Sequence, residues 1–501
     1  MGVMKSLAKD TALYGVSSIL GKILNWLLVP LYTHILTSRA DYGIVTNLYS
    51  YLAILLVILT FGMETGLFRF ANQKDKYNPT TVYSTTLIAV GGVVFLFLLI
   101  VSMFISPITD WLGEGMIPGS FISMMLWILC LDTINSIPFA YLRFKQRPIK
   151  FVALKVSQVF LNIFFNLFFL ILCPIIDKHC PELISWFYRP DYQVGYIIIS
   201  NLLATGIQTC FLATEFMGFK YRFDKELLKK MLRYSLPLLV LGVAGMMNQT
   251  IDKIIIPKIY PDSEMGFEQL GIYGACFKLA VIMVMFTQAF RYAFEPFIFS
   301  RSDKTDNRKS YADATKYFVI LGLFVFLGVS FYLDILKHFI RNEAYWEGLS
   351  VVPIVMMGEL FFGIYFNLSI WYKLTDQTRW GAIFSVFGCI IIVLINVLFI
   401  PVYGYMACAW AAFIGNLVIM LISYFMGQKK YPIPYDLKTI GFYFGLAVSL
   451  YLVTVFFPVE NQWLRWLYHA FLLCIYLFVV VKRDIPLSEI PYLNKIIKRL
   501  K

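Results

Sequence analysis

Ionisable and amide side chains inside otherwise apolar stretches are the residues here that could do chemistry. The stretch Leu236–Pro257 is long enough to cross a bilayer, at about 1.5 Å per helical residue against roughly 30 Å of hydrocarbon. Yet it carries Asn248, Gln249, Asp252 and Lys253. Gly242, Gly245, Gln249 and Asp252 are spaced three, four and three apart, so they fall on one helical stripe that faces protein or water rather than lipid. Other apolar stretches hold Lys22, Lys278 and Arg291 as cations, and Glu64, Asp132 and Glu359 as acids. Such a set can hold an anion, with arginine offering forked donors and lysine a point charge. It can also relay a coupling ion, or simply pair to hold helices together.

The stripe occurs twice. A shift of 227 places Gly15 on Gly242, Ser18 on Gly245, Lys22 on Gln249, Asn25 on Asp252 and Pro30 on Pro257. After a one-residue adjustment Gly43 falls on Gly271, Asp75 on Asp303 and Lys76 on Lys304. The sequence therefore reads as two related halves, each opening with a polar-striped helix.

The elements that must position these residues are transmembrane helices. The chain has 501 residues, 59% hydrophobic and only 15% charged, with mean hydropathy +0.72. A soluble protein carries about a quarter charged residues. Apolar spans fall near 11–36, 44–68, 83–106, 117–142, 150–174, 194–216, 233–257, 271–295, 313–336, 349–373, 378–400, 403–427, 437–458 and 463–481. The predicted fold is an all-α polytopic membrane protein of about fourteen helices. It comprises a six-helix lobe over 1–222, a second over 223–430, and two further helices with a basic tail over 431–501. Six is even, so both halves enter from the same side.

Basic residues sit in alternate loops. Arg69, Lys74 and Lys76, then Arg143, Lys145, Arg147 and Lys150, then Lys220 to Arg233, mark one side. By the positive-inside rule that side is cytoplasmic, with both termini inside. The basic charge belongs to these loops, so a nucleic-acid partner is not expected. The link Phe223–Arg233 alternates leucines and methionine with lysines, which predicts a helix lying along the cytoplasmic surface. The segment Ile490–Lys501 has the same pattern. Adjacent residues point about 100° apart on a helix, so Asp252 and Lys253 are expected to take separate partners. Arg69, Lys155, Glu215 and Glu295 lie near span ends and are expected to snorkel. Tyrosines such as Tyr292 and Tyr365 could stack on sugar rings, although an interfacial aromatic belt is the plainer reading. Gly62–Gly66 and Gly441–Gly445 are GxxxG matches.

No cysteine makes a CxxC pair, Cys173 and Cys180 flank one loop, and the four histidines form no metal pair. No cofactor is predicted. No nucleotide-hydrolysis motif stands out, so uphill work would draw on a Na+ or H+ gradient or the membrane potential.

The opening segment resembles the start of the polysaccharide transporter family, the O-antigen-type flippase branch of the superfamily that includes multidrug exporters and lipid II flippases. Gly15, Pro30, Tyr32, Tyr42 and Gly43 carry the resemblance, with the Asp252-Lys253-Ile254 step late in the seventh helix. The resemblance implies two lobes around an alternately opening cavity in a bacterial cytoplasmic membrane. It implies transfer of an undecaprenyl-pyrophosphate-linked oligosaccharide to the outer leaflet. Lys22, Lys253, Lys278 and Arg291 would meet pyrophosphate or acidic sugar, and Asn25, Asn248 and Gln249 would bond sugar hydroxyls, with Asp252 among them. Glu64, Asp132, Asp252 and Glu359 would couple ions or gate. Membrane lipids, a polysaccharide polymerase and glycosyltransferases are the candidate partners. The lipid II branch carries more arginine in its first helix, where this chain has Lys22 alone.

Two other classes fit less well. A cation-coupled small-molecule exporter calls for an acid-dominated cavity. A membrane polymerase or acyltransferase calls for a reactive constellation on a long loop, and the loop with Asp177, His179 and Glu182 offers none that is convincing.

Overall fold

The computed structural model describes residues 19–113, 115–300, 308–375, 377 and 379–484, the side chains of 293–300 excepted. Gly15, Ser18, Asp303, Lys304, the Glu295 side chain and the segment 490–501 therefore lie outside the described residues. Among the described residues every regular element is helical. Helix α1 is the shorter Ile19–Ile35, followed by α2 Arg39–Ala71, α3 Pro79–Met103, α4 Gly119–Phe144 and α5 Pro148–His179. Then come α6 Gln193–Phe216 and α7 Lys225–Ile259, α8 Ser263–Ser300, and α9 Arg308–Phe331 and α10 Glu343–Leu374. The last four are α11 Arg379–Tyr403, α12 Tyr405–Lys430, α13 Leu437–Phe456 and α14 Gln462–Arg483. Thirteen of these are long and apolar enough to cross a membrane, so with α1 the described helices follow the predicted order.

Helix starts follow sequence chemistry. Ser38 accepts from Ala40 N at 3.1 Å to open α2, Asn78 accepts from Thr80 N at 2.9 Å ahead of Pro79, and Asp224 accepts from Leu227 N at 2.9 Å to open α7. Each supplies an oxygen to an amide that has no partner within the helix. Two breaks matter for the site. Helix α1 turns at Leu27–Leu28 just before Pro30, whose missing N–H removes one rung of the ladder. Helix α2 breaks at Phe61 and Gly62, with φ of 35° and 70°. A Cβ on Gly62 would stand 2.9 Å from Ser235 O on α7, so glycine serves both the left-handed backbone and the close approach.

The chain forms two compact units. The first holds, among the described residues, those within 19–278, 340–348 and 379–415. Within it α7 packs along α2 and α11, and α6 packs along α4 and α5. Gly62 and Gly66 both face Ser235, so this GxxxG serves helix contact by dispersion and close backbone approach, the forces available within a bilayer. The expected surface helix over Phe223–Arg233 is instead the first turns of α7. Leu227 is 2% exposed and Met231 fully buried, in a cluster with Met63, Leu67 and Phe70. Half of its apolar face is covered by protein, with Leu228 and Leu232 half-buried beside the same cluster.

The second unit holds, among the described residues, those within 279–339, 349–377 and 416–484. Helix α9 is its centre and packs against α10, α13 and α14. Asp484, just past α14, accepts from Tyr443 Oη at 2.7 Å and Lys316 Nζ at 3.1 Å, which ties α14 to α13 and α9. Gly441 and Gly445 have open space where a Cβ would sit, so the second GxxxG match makes no close packing.

Candidate functional site

The first unit contains a cavity of about 360 Å³ walled by helices of both sequence halves. Helices α1, α2, α5 and α6 supply Asn25, Tyr32, Tyr42, Tyr49, Asn162 and Asn201, while α7 and α8 supply Thr250, Lys253, Phe277 and Lys278. Its volume lies at the lower end of small-ligand pockets, about 300–1,000 Å³.

The α7 side holds the charge. Asp252 and Lys253 are 6% and 8% exposed, and they pair with each other: Lys253 Nζ donates to both carboxylate oxygens at 3.0 Å. This corrects the expectation of separate partners. The lysine stem is long enough to fold back on its own helix, where Nζ also donates to Gln249 O at 2.9 Å. Lys253 N donates to Asp252 Oδ1 at 2.9 Å, and Tyr273 Oη on α8 donates to Oδ2 at 2.7 Å. The ammonium rests 4.1 Å from the centre of the Phe277 ring, a favourable placement for a cation.

Lys278 is different. It is half-buried and lines the cavity. Among the described residues it makes no ion pair, and the Lys253 ammonium lies within electrostatic range of it. An unpaired ammonium at membrane depth needs water or an anion.

The lining from α1, α2, α5 and α6 includes amides and hydroxyls. Asn162 Nδ2 donates to Asn25 Oδ1 at 3.3 Å, and Asn166 Nδ2 donates to Asn162 Oδ1 at 3.1 Å. Asn201 Nδ2 donates to Tyr49 Oη at 2.9 Å, and Gln158 Nε2 donates to Thr205 Oγ1 at 3.1 Å. These bonds fix the amide planes of Asn25, Asn162 and Asn201, which line the cavity.

Backbone ties hold the halves in register. Trp26 Nε1 on α1 donates to Lys278 O on α8 at 2.7 Å, and Asn47 Nδ2 on α2 donates to Lys253 O on α7 at 2.9 Å. Toward the α1–α2 turn, α2 crosses α8 at Gly43 and Gly271. Beside that crossing Arg39 pairs with Glu347 at 2.8 Å and with Glu268 at 3.5 Å.

The structure distributes the other sequence-identified residues as follows. Asn25, Lys253 and Lys278 meet at the cavity, with Asp252 behind them. Lys22 lies one turn away from Asn25 and is exposed, as is Gln249. Asn248 Nδ2 donates to Ser385 O on α11 at 3.1 Å, so it serves helix packing. Arg291 belongs to the second unit, stacked 4.8 Å from the Phe366 ring centre, and Glu359 is half-buried there in α10. Glu64 accepts from Arg143 at 2.9 Å, and half-buried Asp132 lies within electrostatic range of Lys155.

Lys155 and Glu215 do not snorkel. Glu215 is 5% exposed and holds Lys150 at 2.6 Å and Lys145 at 3.8 Å. Lys155 faces Asp132 and the Phe139 ring, 4.2 Å from its centre. Arg69 sits over Tyr234, 4.1 Å from the ring centre. Cys173 and Cys180 are free thiols. Among the described residues no group of three or more histidines, cysteines and acids could hold a metal.

Sequence reasoning missed Tyr49, Asn162 and Asn201. A signal existed: Asn162 and Asn166 on α5, and Asn201, Thr205 and Thr209 on α6, repeat at intervals of four, so each helix carries a polar stripe like that of α7.

A family profile described as "Polysaccharide biosynthesis protein" matches residues 7–300. No curated protein matches the chain in sequence. Among solved structures, "Lipid II flippase MurJ, inward closed conformation" is similar with a TM-score of 0.71 and 13% identity, over 94% of this chain and 99% of that one. An inward-facing multidrug resistance MATE family transporter of the MOP superfamily is similar with a TM-score of 0.61 and 13% identity, over 81% of this chain and 97% of that one. At such identities the likeness speaks for the fold alone.

Proposed function

We propose, because this chain belongs to the polysaccharide biosynthesis protein family and has the fold of MOP superfamily transporters, that it is a flippase for a lipid-linked oligosaccharide. It carries an undecaprenyl-pyrophosphate-linked glycan from the cytoplasmic to the outer leaflet of a bacterial cytoplasmic membrane, for surface polysaccharide synthesis. The segments 1–222 and 223–430 act as the two lobes, and both termini face the cytoplasm.

One observation supports this reading: a cavity shared by helices of both sequence halves and lined by Lys278, which makes no ion pair among the described residues, and by the amides Asn25, Asn162 and Asn201. A lipid-facing or purely structural bundle would have no reason to leave Lys278 without an acid among the described residues. Alternating access would move α1 and α2 against α7 and α8. The Gly43–Gly271 crossing and the Arg39 pairs are the contacts to be broken on the side of the α1–α2 turn, which by loop charge is the outer side. Coupling to a Na+ or H+ gradient, or to the membrane potential, would fall to Asp132, Glu64, Asp252 or Glu359. Of these Asp132 is the best placed, half-buried with Lys155 near it. A polymerase or glycosyltransferases would supply and consume the glycan.

The test is leaflet-resolved accumulation of lipid-linked glycan in a strain lacking the protein. The proposal expects the glycan to build up in the cytoplasmic leaflet. Normal delivery to the outer leaflet, with no substitute transporter present, would overturn it.

A further inference from the structure

We infer that the first unit holds a second, apolar site that takes one acyl chain of an outer-leaflet phospholipid, with Tyr51 Oη donating to the ester carbonyl of that chain. The inference does not rest on the flippase reading.

The site is a cavity of about 330 Å³ walled by α2, α3, the short helix Ile105–Gly113 and α4, and it shares no lining residue with the polar cavity. Its walls are aliphatic side chains, a methionine and aromatic rings, and among the described residues no charged group contributes. An apolar cavity of about 150 Å³ stays free of water and takes up benzene, so this one has room for roughly a dozen carbons of a chain. Left empty, its walls would forfeit dispersion contacts. Hydrocarbon is at hand. Leu96, Leu99 and Ile100 of α3 are exposed on a span-length helix, while Phe97 and Val101 of the same helix line the cavity. The cavity therefore lies beside a lipid-facing surface.

Two features select an acyl chain. The first is Tyr51, which belongs to the wall. Its hydroxyl oxygen is buried and has no hydrogen-bond partner among the described residues, a costly state for a polar group out of water. A ligand that satisfies it must bring an oxygen acceptor to an otherwise apolar wall. A polyprenyl chain has none along its length. An acyl chain carries one, the ester carbonyl, at its headgroup end.

The second feature is depth. Trp111 lines the cavity from the α3–α4 connection, which by loop charge lies on the outer side. Lys258, at the end of α7, donates to Trp111 O and stands 4.7 Å from the centre of its ring. Tryptophan beside a cation is the chemistry of the membrane–water boundary. The Tyr51 ring meets Trp111 edge-on, 6.1 Å between centres. The orphan hydroxyl thus sits close to the level at which a phospholipid holds its esters. A seated chain would brace α2 from behind, because Thr46 and Tyr49 line the polar cavity while Leu48, Leu52 and Leu55 line this one.

The test uses purified full-length protein in detergent and a phosphatidylcholine with a diazirine on one acyl chain, whose zwitterionic headgroup keeps net charge out of the comparison. Labelled peptides are mapped by mass spectrometry. The competitors are unlabelled diester phosphatidylcholine, its diether analogue, which lacks the carbonyls, and undecaprenol. We expect saturable labelling of the walls around Leu52, Ile108 and Met125, with the diether competing about fivefold more weakly than the diester, as befits one hydrogen bond. Undecaprenol should compete no better than the diether. Tyr51→Phe keeps the ring and should erase the preference for the diester. Leu55→Trp fills the cavity and should abolish labelling of its walls; should that variant not fold, Tyr51→Phe decides alone. Labelling confined to the exposed face of α3, undecaprenol as the strongest competitor, or a diester preference that survives Tyr51→Phe would each overturn the inference. Flipping is not read in this experiment, so its failure leaves the flippase reading standing.

Discussion

Gly43 and Gly271 stand back to back where α2 crosses α8, and each needs the other to be glycine. A methyl group on Gly43 would overlap the carbonyl of Phe267, four residues before Gly271, and one on Gly271 would overlap the carbonyl of Arg39, four residues before Gly43. The contact is reciprocal, and the sequence repeat aligns the same two positions. Helix backbones can approach this closely only through small residues. Gly43→Ala or Gly271→Ala should therefore cost about 1–3 kcal/mol through overpacking. Gly91→Ala, where a Cβ meets open space, should be neutral or mildly stabilising. Thermal unfolding of the three purified variants checks this, and equal midpoints would contradict it.

Three residues further along both helices, a Cβ built on Gly274 lies 3.4 Å from Thr46 Cβ, near the lower end of the range that a disulfide bridges, about 3.5–4.5 Å. Thr46→Cys combined with Gly274→Cys, in a background without the native cysteines, should cross-link under mild oxidation. If α2 and α8 must part for transport, the cross-linked protein is inactive and dithiothreitol restores it. A cross-linked protein that still transports would show that this crossing does not open.

The buried Asp252–Lys253 pair makes a thermodynamic prediction. Lys253→Met strands a carboxylate with Tyr273 and one backbone amide, and Asp252→Leu strands an ammonium. Each single change should cost about 3–5 kcal/mol, while the double change should recover a large part of it, because breaking a buried pair is worse than deleting it. A double-mutant cycle on unfolding free energies measures the coupling. Simple additivity would contradict the pairing.

These predictions show where the sequence was informative. The helix order was legible because polar residues are excluded from lipid-facing surface, so fourteen apolar segments stand out between charged loops. The cations at the site were legible for the same reason, since Lys253 and Lys278 are conspicuous among leucines and isoleucines. Their partners were not. Whether Lys253 reaches Asp252 or a neighbour depends on the path of a flexible stem, which helical spacing does not determine. The amide wall was hidden because asparagine in a span reads equally as a ligand or as packing: Asn25 lines the cavity, while Asn248 ties α7 to Ser385. The link Phe223–Arg233 misled because an amphipathic face suits a lipid surface and a protein groove alike, and the groove beside Met63 and Phe70 is a property of the fold.

Asp436 offers a pH test outside the spans. It caps α13, accepting from Thr439 N at 3.1 Å, and its hydrogen bonds with the Thr439 side chain and backbone hold its carboxyl below the usual carboxylate range. A depressed carboxyl stabilises the fold fully above its unfolded value, near pH 4, and loses that contribution as pH falls through the folded value. Asp436→Ala should therefore weaken amide-exchange protection in the first turn of α13 at pH 7. The difference from wild type should shrink as the pH is lowered below 4. A difference that stays constant with pH would contradict the charge-assisted cap.

The most direct measurement is flipping by the purified protein itself. Proteoliposomes loaded with labelled undecaprenyl-pyrophosphate oligosaccharide are assayed by a membrane-impermeant glycosidase that digests only the outward-facing pool. The account predicts that wild-type protein exchanges the hidden pool into the accessible leaflet, and that Lys278→Gln slows this by about tenfold or more with folding intact. Exchange no faster than in protein-free vesicles, or exchange unaffected by Lys278→Gln, would contradict it.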